Sequence, residues 1–171
     1  MDHCDECGFT YADHETGDIA GELRALAEQY ESVLTGATAD AARIGSRPGP
    51  GVWSPVEYGC HVRDVLLAQR ERLLLALVED EPTCTPIYRD HRAALARYGD
   101  ESPEAVAREV RCAADLLAWV LDGIGDDAWE RTCIYNFPAP SVRTVRWLAQ
   151  HTLHEGEHHL RDIRVILSSP A

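Results

Sequence analysis

No stretch of this sequence is long and apolar enough to span a bilayer. No unbroken apolar run exceeds that of Leu73 to Val78, which falls far short of the ~20 residues a membrane helix needs. Positive charge is scarce as well: 16 Lys and Arg stand against 29 Asp and Glu, a formal net charge of -13. A surface that negative repels phosphate backbones, which argues against nucleic acid as a partner. Internal repeats and low-complexity tracts are missing, and almost no segment alternates apolar and polar residues as a half-buried strand would. The opening MDHCDECGFTYADHE is acidic and lacks the charged-then-apolar layout of a secretory signal, so a cytoplasmic location is expected. In a reducing compartment Cys4, Cys7, Cys60, Cys84, Cys112 and Cys133 are expected to be buried thiols or ligands rather than disulfides. Only Cys4 and Cys7 have ligand-like spacing.

What is there points to one globular domain. The 171 residues are 45% apolar and 26% charged, enough for a single core. Ile19, Leu23, Leu26, Tyr30 and Val33 draw one apolar stripe and predict a first helix over about residues 18–34. After the breaker RPGPG, Ser54-Pro55-Val56-Glu57 supplies a cap, a first-turn proline and the Glu of a capping box, which predicts a second long helix reaching about Glu79. EPTCTP ends it, and a short helix is expected within residues 89–98. Ser102-Pro103-Glu104 repeats the start signal, Val106, Val110, Ala113, Leu117 and Val120 continue as a third stripe, and Gly123 and Gly125 stop it. A loop with Trp129, Asn136, Pro138 and Pro140 leads to a last helix over about residues 141–167. The expectation is an all-α fold: a four-helix bundle of antiparallel type over residues 18–171, with a long crossover between the second and third helices, preceded by a short Cys-x-x-Cys arm over residues 1–17.

Eight histidines is a high number for this length, and His151, His154, His158 and His159 fall in one cluster. On a helical wheel of ~100° per residue, Leu148, Ala149, Thr152, Gly156, Leu160 and Ile163 form the inward arc of the last helix. His159 lies inside that arc and Glu155 at its margin, whereas His154 and His158 fall on the far side. On the second helix His61 lines up with Tyr58, Val62, Val65, Gln69 and Ala76 and also points inward. A single imidazole on an apolar face is more often a satisfied core residue, but a carboxylate and two imidazoles brought together are costly to bury without compensation. A divalent cation removes that cost. Three protein ligands leave coordination positions open, as a catalytic site requires.

The segment Trp53-Ser54-Pro55-Val56-Glu57-Tyr58-Gly59-Cys60-His61 resembles the W-[ST]-x6-H motif of the DinB superfamily. The group containing the N-terminal domain of mycothiol-dependent maleylpyruvate isomerase is part of that superfamily. Glu155-Gly-Glu-His158-His159-Leu-Arg-Asp162 is similar to its second motif, where two ligands four apart on the last helix join the first His. Members usually carry His at the first of those two positions and many continue with Arg-Gly-Gln; this chain has Glu155 and Leu-Arg-Asp. His154 with His158 is therefore an alternative pair, and the wheel favours Glu155 with His159. The resemblance implies a divalent metal on His61, Glu155 and His159. Zinc comes first, then nickel, with iron and manganese as further ions. It also implies a low-molecular-weight thiol of mycothiol or bacillithiol type as cosubstrate. A thiol on a metal has a lowered pKa, and the thiolate is the nucleophile. Tyr58, Asp64, Arg72 and Asp162 are candidates for contacts to substrate or to the ligands, each with an ordinary packing or solvated role as the alternative.

Cys4-Asp-Glu-Cys7 carries half of a zinc site. His154 and His158 would complete a Cys2His2 set if the arm folds back over the last helix, with His3 and His14 as competing ligands and an exposed dithiol as the alternative. The function expected is a metal-dependent thiol transferase or isomerase acting on a small electrophilic molecule. A non-catalytic, stress-related metal-binding bundle and a hydrolase using metal-activated water are the alternatives. An enzyme needs an open cavity at the metal; a binding protein would close the site with a fourth side chain such as His158 or Asp162. A homodimer formed through a helix face is also expected.

Overall fold

Local signals set the ends of the long helices in the computed structural model, which describes residues 3–36 and 41–169. Residues 1 and 2 of the expected arm and residues 170 and 171 of the expected domain lie outside the described residues. The first helix, α1 (Ile19–Thr35), buries Ile19, Leu23, Leu26 and Tyr30, with Leu34 rather than Val33 completing the stripe. A short α2 (Ala41–Gly45) follows. The helix α3 (Pro55–Val78) opens with both halves of the expected capping box: Glu57 N–H donates to Ser54 Oγ at 3.3 Å, and Ser54 N–H donates to Glu57 Oε2 at 2.9 Å. Each satisfies a backbone donor that the first turn leaves unpaired. A short α4 (Arg89–Leu95) lies in the next connection, and α5 (Pro103–Asp122) starts at Ser102, whose Oγ accepts from Ala105 N–H at 3.1 Å.

The last helix, α6 (Val145–Ser168), begins four residues later than the 141 expected from its pattern. Residues 141–144 instead form β2 (Ser141–Thr144), paired antiparallel with β1 (Thr132–Tyr135) in a segment expected to be loop. The physical reason is side-chain pairing: Ile134 sits opposite Val142 and Thr132 opposite Thr144, β-branched partners that suit a pleated surface. Cys133 and Tyr135 alternate inward and are buried. Backbone bonds from Cys84 N–H to Ile134 O (2.8 Å) and from Ile134 N–H to Pro82 O (2.9 Å) tie the 82–85 segment to the hairpin.

Packing in the bundle runs α1 against α5, α5 against α3, α3 against α6 and α6 against α1. Helices α1 and α3 are thus diagonal, as are α5 and α6, and the long 79–102 connection joins neighbours. The core is one cluster running from Phe9 in the arm to Ile163 near the end of α6. At the α1–α6 seam Gly156 permits close approach: an added Cβ would lie 2.3 Å from Leu26 Cδ2. Tyr30 O–H donates to Gly156 O there at 2.8 Å. Among the described residues no helix is long and apolar enough to cross a membrane.

Candidate metal centre

Packing of α3 on α6 brings His61 to Glu155 and His159, and one donor atom from each lies within 4.8 Å of the others. His61 is 3% exposed, its ring 5.2 Å from Trp53 and 5.0 Å from His159, and its Nδ1 is buried with no hydrogen-bond partner. Burial, with His159 and Arg89 nearby, pushes its pKa down to about 3. The imidazole is therefore neutral, the form that offers a lone pair to a cation. His159 Nδ1 is 2.9 Å from Asp162 Oδ2, and its Nε2 lies 4.0 Å from Glu155 Oε2. A proton on Nδ1 donated to Asp162 leaves Nε2 as the bare nitrogen facing Glu155. Carboxylates in that position fix the tautomer of metal-binding histidines. Burial raises the pKa of Asp162, but the bond to His159 and the charges around it outweigh burial, for a net lowering.

Three donors held this way around an orphaned buried nitrogen fit a divalent cation in charge and in chemistry. Above them opens a cavity of about 530 Å³ that His61, Glu155 and His159 all line. Its far wall comes from Tyr135, Asn136 and Phe137 of the hairpin and from the 84–91 segment. His151 also faces it. Tyr11 O–H lies 2.8 Å from His151 Nδ1 and 3.3 Å from His154 Nδ1, and His151 Nε2 is 3.7 Å from Glu155 Oε1. The shorter contact assigns the hydroxyl proton to His151 Nδ1, so His151 directs an N–H towards Glu155.

The other residues singled out by sequence separate here. Arg72 lines the cavity, 7% exposed: it donates to Gln69 Oε1 at 3.0 Å and to Thr85 O, and sits 5.2 Å over the Tyr135 ring. Tyr58 packs against His159 with ring centroids 5.2 Å apart. Asp64 points elsewhere; it accepts from Tyr98 O–H at 2.7 Å and from Arg63 at 2.9 Å, and it is not among the cavity-lining residues. Sequence reasoning passed over His151 and Cys84 as wall residues, naming the one in the histidine cluster and the other among the thiols, and Tyr135 altogether. Cys84 faces the cavity, and the neighbouring Cys133 thiol lowers its pKa. No sequence signal marked them: Cys133-Ile134-Tyr135 is continuously apolar, and the alternation of buried and half-buried positions along β1 belongs to the structure.

The far side of α6 is covered as well. The arm lies on it and places Cys4 and Cys7 beside His154 and His158, again with donor atoms within 4.8 Å of one another. His154 is 8% exposed. The expected competitors are engaged elsewhere: His3 Nδ1 contacts Thr10 Oγ1 at 3.2 Å and His14 Nδ1 contacts Glu22 Oε2 at 3.0 Å.

A sequence model of the DinB superfamily matches residues 22–163. The chain belongs to the DinB superfamily. Among solved structures this DinB chain is similar to YfiT from Bacillus subtilis, described as a probable metal-dependent hydrolase with an unusual four-helix bundle topology. The TM-score is 0.76 at 15% identity, over 88% of this chain and 85% of that one. It is also similar to the mycothiol-dependent maleylpyruvate isomerase, with TM-score 0.69 and 18% identity over 91% of this chain. A mutant of that isomerase gives 0.66 and 17% over 95% of this chain. The DinB chain spans 63% and 65% of those two proteins, so they extend well beyond it. At these identities the likeness is one of fold. No curated protein matches the chain.

Proposed function

We propose that this DinB chain is a metal-dependent enzyme in which His61, Glu155 and His159 hold one divalent cation, zinc first, at the floor of the cavity. The single observation that carries the reading is the convergence of three donors, one with an orphaned buried nitrogen, onto a cavity of about 530 Å³. Neither side chain that would mark a closed, non-catalytic site is grouped with these three donors: Asp162 is bonded to His159 Nδ1, and His158 lies with the arm cysteines and, separately, with His159 and Asp162. Room for a small-molecule substrate supports catalysis over storage.

A cation bound there supplies Lewis acidity, lowering the pKa of a coordinated thiol or water. The protein's own residues do the rest. His151 and Asp162 orient Glu155 and His159. The buried Tyr135 ring excludes water from one side. Arg72, fixed by Gln69, Thr85 and Tyr135, sets a positive charge in the wall of an otherwise acidic protein, where it suits a carboxylate or other anionic group on the substrate. We infer a low-molecular-weight thiol of mycothiol or bacillithiol type as cosubstrate, in a cytoplasmic setting. The thiol sulfur bonds to an electrophilic carbon and its proton passes to the adjacent position of the acceptor. In an isomerisation that bond breaks again and the thiol is returned.

The test is elemental analysis of the wild type, His61→Ala and His159→Ala, with circular dichroism to verify folding, followed by thiol-consumption and ester-hydrolysis assays against a panel of small electrophiles. Loss of the same metal equivalent and of turnover in both variants supports the reading. Full metal retention in both variants overturns the site, and hydrolysis without thiol consumption overturns the thiol chemistry alone.

A further inference from the structure

The arm holds a second constellation that the proposed function does not use. Residues Cys4 to Phe9 fold into a tight loop in which Gly8 N–H donates to Cys4 O at 2.8 Å and Cys4 N–H to Phe9 O at 2.9 Å. Gly8 makes the turn at φ 83°, a left-handed conformation that suits glycine. Phe9 anchors the loop: it is 5% exposed, stacked on His14 at 4.4 Å and 5.2 Å from the His154 ring. Gln150 Nε2 donates to the carbonyls of Tyr11 and His14 at 3.0 Å, and Arg161 donates to Glu6 O. The loop is thereby fastened to α6 with both thiols turned towards that helix.

The proton position on His154 follows from its neighbours. Tyr11 gives its hydroxyl proton to His151, so its oxygen accepts from His154 Nδ1–H at 3.3 Å. His154 Nε2 is then a bare nitrogen, and it is buried with no partner. His158 Nε2 lies 3.5 Å from Glu6 and 3.9 Å from Asp162, while Nδ1 lies 3.8 Å from Cys4 Sγ. One ring nitrogen of each imidazole thus lies within 4.8 Å of both sulfurs. An unpaired buried nitrogen like His154 Nε2 is costly without a partner.

We propose that Cys4, Cys7, His154 and His158 form a closed, four-ligand structural zinc site that clamps the arm onto α6. Two thiolates and two neutral imidazoles are a structural zinc set, and the thiolates cancel the charge of the ion. The sulfurs select zinc over hard cations such as magnesium or calcium. With four protein ligands no position remains for substrate. The site shares no ligand with His61, Glu155 and His159. Two overlapping clusters of donors, His151 with His154 and Glu155, and His158 with His159 and Asp162, both lack sulfur, which gives the experiment its discriminating signal.

The test uses the full chain. Zinc analysis is expected to show two equivalents in the wild type and one each in Cys4→Ser and His158→Ala. In cobalt-substituted protein, near-ultraviolet thiolate-to-metal charge transfer is expected in the wild type and in His61→Ala, and is expected to be lost in Cys4→Ser. On folded wild type, iodoacetamide is expected to label exposed Cys112 at once and Cys4 and Cys7 only after chelation, a readout that needs no variant to fold. Absence of the charge-transfer band, labelling of Cys4 and Cys7 as fast as Cys112 in zinc-loaded protein, or a Cys4–Cys7 disulfide would overturn the proposal. Retention of both zinc equivalents in His61→Ala would sink the catalytic centre and leave the sulfur signature untouched, so the two readings fail separately.

Discussion

Gly156→Ala puts a methyl group where α1 and α6 come closest. The added carbon would lie 2.3 Å from Leu26 Cδ2 and 3.6 Å from Leu26 Cγ, and Leu26 is 3% exposed, so its side chain can move only by displacing core neighbours. Overpacking of this kind costs about 1–3 kcal/mol, against a gain of about 1 kcal/mol for replacing a mid-helix glycine. The net expectation is a loss of up to about 2 kcal/mol, or up to about 8 °C in Tm for a chain of this size. Every atom within 4 Å of the new carbon belongs to Leu26, which makes the reasoning sharp. In a Leu26→Ala background, itself costing about 2–5 kcal/mol, the same substitution should become neutral or stabilising by up to about 1 kcal/mol. The double-mutant cycle, read by urea denaturation of all four proteins, should therefore return a coupling of about 1–3 kcal/mol. A Gly156→Ala effect of the same size in both backgrounds, that is, no coupling with Leu26, would refute the steric account of the seam.

Three further outcomes are expected. Asp162→Asn removes the charge that orients His159 and should weaken zinc at the cavity site by about 10–100-fold; competition against a chelator in a Cys4→Ser/Cys7→Ser background measures it, and unchanged affinity would show the bond to be incidental. Glu57 is raised by burial but lowered more by Arg47 and by both Ser54 donors, a net lowering from 4.5. Its contribution is therefore fully present above pH 4.5 and is lost as pH falls through the folded value. Glu57→Gln should cost about 1 kcal/mol at neutral pH, and that gap should close in acid; a gap independent of pH contradicts the assignment. Arg72→Leu should raise KM for anionic electrophiles by about 10–100-fold, the equivalent of a charge-assisted hydrogen bond, with neutral ones unaffected. Equal effects on both substrate classes would show that Arg72 only holds Thr85 and the wall in place.

The helices were legible because their information is local: Ser54, Ser102 and the stripes on α1 and α5 act within a turn or two of themselves. The inward direction of His61, Glu155 and His159 was legible for the same reason, since a wheel needs only spacing. The cavity wall was not. Tyr135, Cys84 and His151 meet through the pairing of Ile134 with Val142 and through the contact of the 82–85 segment with β1, the latter joining residues about fifty positions apart. His154 shows a different limit. The wheel placed it away from the bundle, where it is, but a wheel reports direction relative to the core and says nothing of a chain segment laid over the outside.

Helix α6 is keyed on both flanks, with His154 and His158 under the arm and Glu155 and His159 under α3, two pairs displaced by a single position. Inserting one residue upstream of them would turn the spindle by about 100° and swing His154 and His158 to where the carboxylate and imidazole of the other pair now stand, leaving both neighbours facing the wrong partner. A one-residue change of length in the rod would thus undo both sets at once, whereas the same change in a loop would leave each partner where it stands.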